Sequence, residues 1–280
     1  MTPGWRQYLH TLSLVWPGVL VFLLAAVLLF AGQAQAGFSV QMSPARLEVQ
    51  ADPGKTVRAA IKLRTQGRGS QKVAIGKGHF GLDDSGAPVF DHPRDAARSA
   101  AAWITVNPNE LTIMPMQEKI VRLEITVPPA TPSGGYRAAI FISSPTDAGR
   151  LKERGATIFL QGRLAFLIYV TVGSARPDGQ IKAWEWRRLN AGKQDSLALQ
   201  VHNQGEAHLR LAGIVQVVDD RGEKFDAIVP GVPILPGQRT WVALDFPEKS
   251  PVPGSAVTIS GKINLGRGEQ SLNAHVEGKR

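Results

Sequence analysis

The sequence predicts an all-β protein: two β-sandwich domains in tandem, preceded by a signal peptide. Three observations carry this prediction. Short alternating runs rich in Val, Ile, Thr and aromatic residues recur throughout, separated by Gly, Pro, Asp and Asn, and long helical periodicity is missing. A turn-rich stretch, Gly173-Ser174-Ala175-Arg176-Pro177-Asp178-Gly179, interrupts the runs in mid-chain. Patterns of the first half then recur in the second, as two copies of one sandwich would produce.

Taken in order, the first element is a leader. Residues 1–36 place a lone cation, Arg6, before an apolar stretch from Leu14 to Phe30 and end in Ala34-Gln35-Ala36, a small-residue cleavage site. The mature chain is predicted to begin at Gly37. Retention as a membrane anchor is the alternative, against which stand Trp16-Pro17-Gly18 and the A-x-A site. Strands follow at 38–50, 55–64, 71–80, 103–107, 118–127, 135–143 and 156–172, enough for one Greek-key sandwich over 37–175. Residues 92–102, rich in Ala and Arg, read as a short helix or loop inserted into it. Beyond the linker, runs at 180–188, 196–203, 208–218, 224–229, 238–246, 256–265 and 269–277 make a second sandwich over 176–280.

The internal echo pairs Leu82-Asp83-Asp84-Ser85-Gly86 and Phe90-Asp91 with Val218-Asp219-Asp220-Arg221-Gly222 and Phe225-Asp226. Ile113-x-Pro115-x-Gln117 leading to Leu123 recurs as Ile234-x-Pro236-x-Gln238 leading to Leu244. Each half therefore carries an Asp-Gly hairpin and then a proline turn feeding an alternating strand.

Composition narrows the function classes. The formal charge is +9, and the leader holds Arg6 and no acid, leaving +8 on the mature chain. The cations are dispersed along the strands without a basic run or an aromatic-basic motif, which argues for a solvated basic surface over nucleic-acid binding and leaves attraction to acidic partners. The sequence contains no cysteine, so both cores are held by burial alone. Beyond the leader, no apolar run is long enough to span a bilayer.

Catalytic constellations are missing. Asp83-Asp84-Ser85-Gly86 resembles an aspartic-protease loop, but its echo reads Asp-Arg-Gly, so a hairpin turn explains both. The six histidines, at 10, 79, 92, 202, 208 and 275, show no metal-ligand spacing, although His202 and His208 flank a turn and could approach across a hairpin. No nucleophile elbow, phosphate loop or dinucleotide fingerprint follows a strand. The reading is a binder with no cofactor or metal.

Two cations stand out in otherwise apolar strands: Arg46 in "MSPARLEVQ" and Arg163 in "ATIFLQGRLAFLIYV". The second stretch, residues 156–170, alternates Ala156, Ile158 and Leu160 with Thr157, Phe159 and Gln161. It reads either as a central core strand or as an edge that offers backbone hydrogen bonds to a guest. The other use of Arg46 is an ion pair, with Glu48 or Glu124.

These residues resemble the periplasmic pilus-assembly chaperones of the chaperone-usher type. "SPARLEV" resembles that family's first strand, "LTIMPMQEKIVRLEI" (111–125) its proline turn and following strand, "GYRAAIFISSP" (135–145) its penultimate strand, 156–170 the last strand of its first domain, and "LQVHNQGEAHLRLAG" (199–213) a hairpin of its second. The resemblance implies two immunoglobulin-like domains around a cleft, in a periplasmic protein whose partners are pilus subunits and an outer-membrane usher. It also implies that Ala156, Ile158 and Leu160 form a donor strand, and that Arg46 with a second cation binds the subunit's C-terminal carboxylate. Aligning Leu160-Gln161 with the family's Leu-Gln puts the customary lysine at Ala165, with Arg163 two residues earlier on the same face; Arg163 is therefore taken as a displaced second anchor. Sliding the alignment by two restores the cation but places Arg154 in the apolar row. The polar loop 145–155 is expected to order over a guest. The rival reading is an exported immunoglobulin-like adhesion module that binds a surface protein or glycan through its loops.

Overall fold

The computed structural model describes residues 38–67, 69–145, 149–153, 156–160, 162–189 and 195–278, so the expected signal peptide lies outside the described residues. Strand β1 (Val40–Ser43) leads through Pro44 and Ala45 into β2 (Arg46–Ala51), and the chain returns in β3 (Thr56–Thr65). Next come β4 (Gln71–Gly78), the short β5 (Phe80–Leu82) and β6 (Pro88–Phe90), two 3-10 turns at Pro93–Arg98 and Ala101–Trp103, then β7 (Ile104–Asn107), β8 (Glu110–Ile113) and β9 (Glu118–Thr126). The first half ends with β10 (Gly134–Ser143), β11 (Gly149–Glu153), β12 (Ala156–Leu160) and β13 (Arg163–Val172).

Two sheets build the first sandwich, ordered β1-β3-β9-β7 and β2-β13-β10-β4-β8. Alternation explains their two faces: in β3 Ile61 and Leu63 are fully buried while Arg58, Lys62 and Arg64 face water. They meet Leu123 and Ile125 of β9 and, from the other sheet, Ile140, Ile142, Phe166 and Ile168. The chain changes sheets at Pro44, whose nitrogen has no hydrogen to give a ladder, so β1 pairs β3 in one sheet and β2 pairs β13 in the other. Among the described strands, β2 with β13 is the one parallel pairing.

The predicted strand 156–172 is in fact two. Pairing of β13 with β10 stops at Arg163↔Ser143. Ser144 then donates its N–H to the Gly162 carbonyl and accepts the Gly162 N–H on its hydroxyl, both at 2.9 Å. A Cβ at Gly162 would overlap the Phe38 side chain. This knot takes the chain out of the sheet, and β12 pairs instead with β11, from Gly149↔Leu160 to Glu153↔Ala156. Part of the expected 145–155 loop is thus a strand.

The second half holds β14 (Gly179–Arg187), β15 (Ser196–Asn203), β16 (Leu209–Arg210), β17 (Ala212–Asp219), β18 (Lys224–Val229), β19 (Pro233–Ile234), β20 (Arg239–Ala243), β21 (Val257–Asn264) and β22 (Glu269–Val276). Sheets β14-β15-β20 and β18-β17-β21-β22 close on Leu197, Leu199, Val201, Val215, Val217, Ile259 and Ile263. The sequence echo is a structural one. Asp83 Oδ1 accepts from the N–H groups of Ser85 and Ala87 at 2.9 Å, and Asp219 Oδ1 accepts from those of Arg221 and Glu223 at 3.0 and 2.8 Å. Gly86 and Gly222 take φ of 82° and 80°, the left-handed conformation that makes glycine the natural residue in each turn.

Candidate functional site

Strand β10 shows where the two halves meet. Its inner residues Ala138, Ile140 and Ile142 fill the sandwich, yet outward-facing Ala139 and Phe141 are also buried. They form a second apolar cluster with Phe80 and Tyr169, packed by Leu82, Phe90, Ala165, Leu167 and, from the second half, Leu235. The outer face of the five-stranded sheet is therefore the floor of a cleft whose far wall is the second sandwich.

Alternation on β2 sends Leu47 and Val49 to the core and Arg46 and Glu48 to this outer face, in register with Leu167 and Tyr169 of β13. Glu48 gathers cations from both halves. Its Oε1 accepts from Arg46 Nε at 2.8 Å and also from Arg210 Nε, and its Oε2 lies 3.3 Å from His208 Nε2. The hydrogen bond from His208, joined by those from Arg46 and Arg210 and opposed by burial, holds the Glu48 carboxyl far below the usual carboxylate range. His208 stacks on Tyr169 with ring centroids 4.5 Å apart, and the Arg210 guanidinium lies 5.1 Å from the same ring. Side-chain exposure falls from 51% at Arg46 through 36% at Glu48 to 18% at Arg210, so the cluster runs from open surface into the cleft. Pro44, Ala45, Arg46 and Glu48 line a shallow depression at its open end.

Uncharged contacts fix the same interface. Gln238 Nε2 donates to the Asp83 carbonyl at 2.9 Å, so the proline turn of one copy grips the Asp-Gly hairpin of the other. Gly135 N–H donates to the Glu206 carbonyl at 2.7 Å.

Arg46 thus stands at the cleft mouth, and its ion pair is with Glu48, whereas Glu124 pairs with Arg58. Arg163 does not join it. Its guanidinium lies 3.3 Å from the centre of the Phe141 ring and 3.8 Å from Asp91, over β10, whereas β2 lies on the opposite side of β13. Ala156, Ile158 and Leu160 belong to β12. Among the described residues, β11 is the only strand paired with it.

The edge beside these residues is open. Strand β2 covers β13 only from Leu167 to Val172, so Arg163–Phe166 have β10 on one side and, among the described residues, no strand on the other. Strand β1 is likewise the last strand of its own sheet. Between these two margins lies a groove of about 560 Å³ lined by Val40, Gln41, Met42, Ser43, Lys62, Arg64, Glu118 and Leu164. Unpaired N–H and C=O groups along a margin accept another chain's backbone, and an arginine at its end accepts a carboxylate. Sequence reasoning missed Glu48 as a hub, together with His208 and Arg210; the signal was the polar pair at 208 and 210 alternating with Leu209 and Leu211. Among the described residues no group of His, Cys, Asp and Glu could hold a metal ion, and no helix is long and apolar enough to cross a membrane.

No protein-family model matches the sequence, and comparison with curated proteins finds no relative. Solved structures do align. The YadV chaperone is 12% identical over 85% of this chain and 100% of its own, with a TM-score of 0.43. The class 5 fimbriae chaperone CfaA is 13% identical over 86% and 100%, also at 0.43. A chain of the CsuC–CsuE chaperone–tip adhesion subunit pre-assembly complex, from the archaic chaperone-usher Csu pili of Acinetobacter baumannii, is 13% identical over 87% and 100%, at 0.43.

Proposed function

We propose that the protein is a periplasmic, non-enzymatic chaperone that holds incomplete pilus subunits by lending them a strand, and delivers them to an outer-membrane usher. The observation that carries this reading is the open margin of β13 ending at Arg46. A guest strand paired along Arg163–Phe166 runs into the start of β2, because β2 occupies the same margin from Leu167 onward. If the guest runs parallel to β13, its last residue stops beside Arg46, and its terminal carboxylate meets a half-exposed guanidinium with donors to spare. Backbone pairing supplies affinity, while Ala156, Ile158 and Leu160, continuing the chain upstream on β12, supply the alternate side chains that choose the guest. Arg163, stacked on Phe141 at the open margin, lies along the guest's path.

The test is co-expression with exported proteins encoded beside this one, followed by co-purification. Replacing Ile158 and Leu160 together by Asp is expected to abolish recovery of the subunit while the circular dichroism spectrum stays that of the parent. Unchanged recovery would overturn the strand-lending reading, and sensitivity confined to the loops would favour an adhesion module.

A further inference from the structure

We propose that the carboxylate site spans both domains and that Arg210, not Arg163, is its second cation. The inference rests on the chaperone reading of Arg46 and extends it to a residue of the second sandwich. Arg46 and Arg210 donate through Nε to the same oxygen of Glu48, so their guanidiniums stand within two hydrogen-bond lengths of each other, about 6 Å. Two guanidiniums share one carboxylate, which leaves a positive charge over and attracts one further anion. Each guanidinium carries five N–H donors. Glu48 takes one from Arg46, while Glu48 and the Gly231 carbonyl, at 2.8 Å, take two from Arg210. Donors from both side chains are left for the two oxygens of a terminal carboxylate.

The surroundings strengthen such a contact. The stacked rings of Tyr169 and His208 stand beside Arg210, whose side chain is only 18% exposed, and a charge-assisted hydrogen bond gains where water is scarce. Arg163 has no comparable placement, since it is held over Phe141 on the far side of β13. Glu48 holds Arg46 of the first domain and Arg210 of the second, so a guest bound here also fastens one domain to the other.

The probe is N-acetyl-phenylalanine, which bears a free α-carboxylate, with its C-terminal amide as control, titrated into the full mature protein. The readout is the arginine Nε–Hε region of the nitrogen-proton NMR spectrum, assigned by single substitutions. The acid is expected to move the Arg46 and Arg210 signals with one common affinity, and the amide to move neither. Arg210→Gln should weaken the acid at least fivefold, Arg210→Lys should hold it within about threefold, and Arg163→Gln should leave it within twofold. An unaffected Arg210→Gln protein, an Arg163 signal that follows Arg46, or no acid-dependent shift at all would each overturn the inference. Loss of subunit co-purification in the Ile158 and Leu160 variant is independent of these signals, so the site and the chaperone reading can fail separately.

Discussion

Among the described residues the polar partner of Arg46 is Glu48, and half of the Arg46 side chain is exposed, so it contributes little to folding. On the chaperone reading proposed above, its energetic role lies in the complex. Arg46→Ala is expected to leave the melting temperature within a degree or two while weakening subunit binding by about 2 to 5 kcal/mol, the cost of leaving a partly buried carboxylate without its cation. Titration calorimetry of purified subunit against both proteins measures this; equal affinities would remove Arg46 from the mechanism. The residue was visible in the sequence because it stands in a short strand, β2, whose Leu47 and Val49 alternate with polar positions. Its relation to Arg210 was not, because Leu167, Tyr169 and the second domain intervene through a parallel pairing and a domain contact that no local pattern encodes.

Among the elements, the turn after β15 is held by one side chain. Asn203 is fully buried; its Nδ2 donates to the Ala207 and Ile234 carbonyls at 2.8 and 2.9 Å, and its Oδ1 accepts from the N–H groups of Asp178 and Gly205 at 3.2 and 3.0 Å. The linker, the hairpin and β19 are thereby tied at one point. Asn203→Ala strands buried backbone groups and should cost about 2 to 4 kcal/mol, read as a lower urea midpoint with an unchanged slope; a loss under 1 kcal/mol would show that water replaces the amide. Most strands were legible because period-2 alternation on a half-buried sheet writes itself into the sequence, as in Lys224–Val229, where Phe225, Ala227 and Val229 alternate with exposed neighbours. Strand β8, at Glu110–Ile113, escaped because four residues carry too little pattern and its neighbour β4 supplies the pairing. The division of 156–172 escaped for a tertiary reason: Ser144 and Phe38, distant in sequence, decide where Gly162 leaves the sheet.

At the scale of the whole molecule, the described contacts that join the two sandwiches include the ion pairs of one carboxylate and a set of neutral contacts. Glu48 is ionised in the folded chain to a pH well below its ordinary range, so the folded state binds fewer protons than the unfolded state there. Its contribution is complete above the unfolded carboxyl's pKa, about 4.3, and is lost progressively as pH falls below that value toward the depressed folded one. Because Arg46 and Glu48 are open to water, the contribution is discounted to about 1 kcal/mol at neutral pH. Glu48→Gln should therefore melt a few degrees below the parent at pH 7, and the two melting curves should converge as pH is lowered from 4 toward 2. The neutral grip of Gln238 on Asp83 and of Gly135 on Glu206 does not titrate, so it persists in both proteins and cancels from the comparison. Thermal scans by circular dichroism across this range decide the matter: a gap that stays constant from pH 7 to 3 would mean that the interface is held by shape and neutral hydrogen bonds, with the charge on Glu48 contributing nothing to the junction.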